Sequence, residues 1–109
     1  MSVVLLISPK AGAVLVDNSS KTIPIATQET FRSYWKQGGQ ALGLRWVPMF
    51  ETGIPVQPDD IPDVILELKK LADWARRSSV PNPVVSRMDE LIAALLKVQG
   101  SQDVDVFIG

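Results

Sequence analysis

The chain contains no cysteine and no histidine. The first absence excludes disulfides, thiolate zinc sites, iron–sulfur clusters and cysteine nucleophiles, and nothing in the chain advertises an oxidising compartment. The second is more restrictive. Histidine is the side chain that ordinarily titrates near neutral pH, so the usual general base is missing. His-ligated metals and Ser-His nucleophile pairs are excluded with it. Any catalysis has to rest on carboxylates, lysine, Tyr34 or backbone groups. Long apolar runs are lacking too, and no stretch approaches the ~18 residues needed to span a bilayer. The opening run from Val3 to Ile7 is short and follows no basic leader, so it does not read as a secretory signal. No Walker loop, dinucleotide fingerprint, GxSxG elbow or zinc motif is present. These absences predict a cytoplasmic, non-catalytic chain with no cofactor, no metal and no membrane partner.

What is there fits one compact domain over residues 1–109. Hydrophobic residues make up 46% of the chain, typical of a globular protein and too high for a disordered one. The net charge is only −1, which disfavours nucleic acid or anionic lipid as a partner of the whole surface. The charge is segregated, however. Between Trp46 and Leu68 lie Glu51, Asp59, Asp60, Asp63 and Glu67 with no basic residue among them. The segment that follows is basic, with Lys69, Lys70, Arg76, Arg77 and Arg87 against Asp73.

Val3 to Ile7 is apolar at consecutive positions, which predicts a central strand. Ser8 to Gly12 reads as a turn and Ala13 to Val16 as a second, hairpin-paired strand. Thr22 to Ala26 carries Pro24, which restricts it to an edge or extended segment. Thr27 is placed to cap a helix from Gln28, with Phe31, Tyr34, Trp35 and Leu42 on one face and Gly38-Gly39 ending or loosening it. Leu44 to Phe50 reads as a third strand, and residues 51–62 as a long Pro-rich loop. Asp60 is expected to cap a helix whose buried stripe is Ile61, Val64, Ile65, Leu68, Leu71, Ala72 and Ala75. Asn82-Pro83 opens another, with Val84, Met88, Leu91, Ile92, Leu95 and Leu96 facing inward. Val104, Val106 and Ile108 alternate with Asp103, Asp105 and Phe107 in a last strand. The order β-β-α-β-α-α-β predicts an α+β fold: a small three- to four-stranded antiparallel or mixed sheet with about three helices on one face.

Two features stand out as binding candidates. The acidic group Glu51, Asp59, Asp60, Asp63 and Glu67 suits a protein partner with a basic surface, for which it would supply steering and register. Capping and macrodipole compensation compete for the same residues. Their spacing lacks the alternating ligands and the glycine of a calcium loop. Trp74 lies off the apolar stripe of its helix, and tryptophan is enriched at interface anchors. The basic run reads as a solvated face with helix ion pairs.

The stretch Phe50-Glu51-Thr52-Gly53-Ile54-Pro55-Val56-Gln57-Pro58-Asp59-Asp60-Ile61-Pro62, running on to Leu71, resembles small bacterial immunity proteins encoded beside polymorphic toxins. The likeness lies in the Gly53-Ile54-Pro55-Val56 loop followed by an acidic-capped helix, and covers residues 50–71 only. It implies a chain that binds and inhibits a cognate toxin domain, with no catalytic residues to carry over. Two other readings stay open. One is a small-molecule-binding or carboxylate-based enzymatic domain using Asp103, Asp105, Tyr34 or Arg45. The other is an oligomeric structural module, a homodimer paired through an exposed Val104–Ile108 edge.

Overall fold

Val3, Leu5 and Ile7 point to one side of their strand and are buried, while Val4 and Leu6 point to the other and are partly open. In a computed structural model, which describes residues 2–9, 21–99 and 104–109, this strand is β1, Ser2–Pro9. It has neighbours on both sides. β2, Lys21–Thr27, pairs with one edge of β1, and β4, Val104–Ile108, with the other. β3, Ile54–Val56, pairs with the far side of β4. The result is a four-stranded antiparallel sheet in the order β2-β1-β4-β3. The expected α+β fold is therefore present, with a sheet whose inner face carries Val3, Leu5, Ile7, Ile25, Val56, Val106 and Ile108.

Three helical stretches cover that face. The first begins at α1, Gln28–Thr30, where the Thr27 hydroxyl accepts a hydrogen bond from the Thr30 N–H at 3.1 Å. It continues as a π-helix, Phe31–Lys36, and ends as α2, Gln37–Leu42. Phe31 and Trp35 are fully buried and stack with ring centroids 6.0 Å apart. The expectation that Gly38-Gly39 ends this helix is wrong. The chain stays helical to Leu42, and Gly43 supplies the left-handed C-cap at φ 69°. Gly38 instead permits close packing, since a Cβ there would lie 2.6 Å from Leu71 Cδ1 and from the Trp74 ring. The second helix is α3, Ile61–Arg77, and the third is α4, Asn82–Val98. Every residue of the stripe expected for α3 is buried. In α4 the inward face takes Val85, and Leu96 is left 48% exposed.

One strand assignment and one edge placement fail. Leu44 to Phe50 is not a strand: Val47–Glu51 is a 3₁₀ helix with Pro48 in its first turn. The proline suits that turn, and a carboxylate from α3 takes the N–H groups that a ladder would need. The third strand lies further on, at Ile54–Val56, inside the expected loop. The hairpin strand at Ala13–Val16 falls outside the described residues. β4 is also not an edge, because β1 and β3 flank it. Among the described residues the edges are β2 and β3, so a homodimer paired along Val104–Ile108 has no free ladder to use over Val106–Ile108.

The register determines what those edges present. Val4 and Gly109 exchange both backbone hydrogen bonds, at 3.1 and 2.9 Å. Antiparallel pairs alternate between bonded and non-bonded, so Leu6 and Phe107 are the next bonded pair, and Val106 and Ile108 turn their backbone groups toward β3. Pro55, opposite Phe107, then faces outward. The same alternation turns Pro24, opposite Val4, outward on β2. Each exposed edge thus has a proline at an outward position, where no N–H exists to recruit another strand.

Candidate partner-binding surface

Pro58 opens a 3₁₀ turn, Pro58–Asp60, that leads into α3 with Pro62 near its start. Fixed proline φ angles suit both first turns, where the missing N–H costs nothing. Asp59 and Asp63 are exposed and Asp60 is half-buried. Asp60 occupies the N-cap position as expected, but its side chain makes no capping hydrogen bond. The turn satisfies the chain instead through its own backbone, with the Asp60 N–H donating to the Gln57 carbonyl at 2.9 Å. Capping therefore does not account for the Asp60 carboxylate.

These acids differ from those at the far end of α3 and on α4. Among the described residues, Asp59, Asp60 and Asp63 form no ion pair, whereas Asp73 pairs with Arg76 and Arg77, Asp89 with Arg76, and Glu90 with Arg87. The Arg76–Asp89 contact is bidentate, at 2.7 and 2.8 Å, and ties α3 to α4. The basic face of α3 is thus partly spent within the chain. What remains is a compact negative patch at the start of α3, where the macrodipole favours negative charge.

The other three expected site residues have work inside the fold. Glu51 is gripped by Arg32 at 2.5 Å and Lys36 at 3.2 Å, and its side chain is only 12% exposed. The hydrogen bond from Arg32, aided by Lys36, holds its carboxyl below the usual value against the opposing effect of burial. Glu67 accepts the backbone N–H groups of Arg45, Trp46 and Val47, at 3.1, 2.8 and 3.3 Å. Its carboxylate caps the 3₁₀ helix from twenty residues away. Trp74 is half-buried with its ring against Gly38. The Glu67 clamp holds Arg45, weighed above for small-molecule or carboxylate chemistry, and Trp46 beside α3, with the Arg45 guanidinium 5.8 Å from the Trp46 ring centre. No basic residue lies between Trp46 and Leu68, and no local pattern there announces a remote carboxylate cap.

A cleft of about 160 Å³ opens at one end of the sheet, with Val3, Gln28, Glu51, Thr52 and Phe107 in its wall. It is small beside the 300–1,000 Å³ of ordinary ligand pockets, and its carboxylate is already ion-paired. The residues weighed for carboxylate chemistry are not brought together. Asp105 projects from the sheet face opposite the helices, Tyr34 lies in the π-helix against the inner face, and Asp103 is outside the described residues. Among the described residues no group of three or more acids is placed to hold a metal ion, and no helix is long and apolar enough to cross a membrane. No protein-family model, characterised protein or solved structure matches this chain.

Proposed function

We propose that the chain is a non-catalytic protein-binding module whose docking surface is the start of α3, and whose partner presents a basic face. The observation that carries this reading is the patch of Asp59, Asp60 and Asp63, which has no ion pair within the described fold, while Glu51, Asp73, Asp89 and Glu90 are ion-paired and Glu67 is occupied by backbone N–H groups. Uncompensated like charges on one turn repel one another, and a cationic partner relieves that repulsion. The resemblance over residues 50–71 makes a toxin domain the kind of partner to test first, with inhibition as the outcome of binding. Glu51 and Glu67 act in this reading from within, by fixing the segment beside the patch, and Trp74 supports it by packing α3 on α2.

The test is capture from the native host with wild type and with Asp59→Asn/Asp60→Asn/Asp63→Asn, followed by binding measurements on the purified pair. The expected result is an identified partner whose association slows with added salt and slows about tenfold or more in the triple variant. Equal binding by both forms would remove the acidic patch from the interface. Recovery of no partner under either condition would count against a binding module altogether.

A further inference from the structure

The segment 45–51 is fastened at its two ends by two carboxylates. At its start, Glu67 reaches across from α3 and takes three successive backbone N–H groups. At its end, its own last residue, Glu51, is held by Arg32 and Lys36 of the π-helix. Between these points it buries Val47 and Phe50 fully and rests Pro48 and Val47 over Gly39. We infer that residues 45–51 form a strap, held by these two fastenings, which detaches from the helices as a unit, ahead of global unfolding, when the fastenings are removed.

Both fastenings are charge-assisted, so their strength depends on ionised carboxylates. Protonated Glu51 no longer attracts Arg32 and Lys36. The neutral side chain of Glu67→Gln keeps an acceptor oxygen but lacks the charge that draws three N–H groups to one side chain. The other charged groups near Glu67 are Asp63 and Lys70, about one turn away on α3, and Arg45 on the strap. Neither Asp63 nor Lys70 forms an ion pair with it among the described residues. The strap has no place in the sheet, so releasing it breaks no strand pairing. α3 and α4 remain tied by their own apolar contacts and by Arg76–Asp89. The buried Val47 and Phe50 oppose opening, and the two carboxylate fastenings add to that barrier, so weakening them lowers the free energy of opening for this segment in particular. Its departure uncovers the apolar side of the helix that carries Phe31 and Trp35, against which it packs.

Amide hydrogen exchange on the full chain at neutral pH tests this. The forms compared are wild type, Glu51→Gln, Glu67→Gln and the double variant. The expected result is that amides of residues 45–51 exchange roughly tenfold faster or more in each single variant, and faster still in the double. Amides around Leu68, Leu71, Met88 and Leu91 should keep their protection. Strap and helix amides accelerating together, or strap amides unchanged, would overturn the proposal. If the double variant does not fold, Arg32→Gln/Lys36→Gln frees Glu51 without altering either carboxylate, and the same selective exchange is required of it.

Discussion

Glu51 and Glu67 read from the sequence as partner contacts, and the fold engages both carboxylates internally. Both are acids in a segment without bases, which is why they read as partner contacts. Both are turned inward by groups distant in sequence, and no local pattern shows this. Their internal roles carry separate predictions. Glu67→Ala strands three N–H donors and should cost roughly 2–3 kcal/mol in urea denaturation, more than Glu67→Gln, whose amide oxygen still accepts. The Glu51 carboxyl is held below its ordinary value of 4.5 by Arg32 and then Lys36. A depressed folded pKa means stability that is present above the unfolded value and is lost as pH falls through the folded one. Melting temperature should therefore decline below about pH 4.5, and Glu51→Gln should flatten that part of the curve. A variant whose acid limb matches wild type would show that other carboxylates set it. Trp35 is the opposite case: its indole N–H is buried without a partner, and its stacking on Phe31 has to outweigh that cost.

At the scale of elements, legibility follows how local the determining forces are. The buried stripe of α3 and the Thr27 cap were readable because helix periodicity and capping act within a few residues. The alternation of Val104, Val106 and Ile108 was readable for the same reason. The Val47–Glu51 turn and the Ile54–Val56 strand were not, because Glu67 and β4 impose them from elsewhere in the chain. The acidic patch was legible as a composition bias, and only the fold shows which acids remain unpaired. Gly38 was misread because its purpose is a contact, not a dihedral. Gly38→Ala improves helix propensity, yet its methyl meets Leu71 and Trp74 at 2.6 Å. The clash should prevail by about 1–2 kcal/mol, with a shift in tryptophan emission. α3 ends less favourably than it begins. Ser79 adopts φ 60° while the Val80 N–H bonds back to the Ala75 carbonyl at 3.1 Å. This is the C-terminal position that favours glycine, and Ser79→Gly should raise stability by up to about 1 kcal/mol in thermal melts. A fall would mean that the serine side chain contributes more than its backbone strain costs.

At the scale of the whole molecule, the sheet and the helices divide the surface into regions suited to different contacts. The outward sheet face carries Leu6, Phe107 and Pro55, and the ring of Phe107 lies against Gly53, where a Cβ would come within 2.8 Å of it. Such a face invites strand-mediated association at its margins, and the prolines answer that hazard. Pro24 and Pro55 sit at outward positions of the two edge strands, so neither edge offers an unbroken row of donors. Prolines at both edges are consistent with the proposal that a partner docks on the helical side, at the acidic start of α3. Pro24→Thr/Pro55→Thr should restore donors to both edges and promote self-association. The inner residues of both strands are unchanged, so the fold should persist, with a small loss of stability from the freer unfolded chain. Sedimentation velocity over a wide concentration range should show larger species in the double variant than in wild type at equal concentration. Identical distributions would mean that the prolines shape the strands but do not guard them, and strand addition would then return as a mode by which this chain meets its partner.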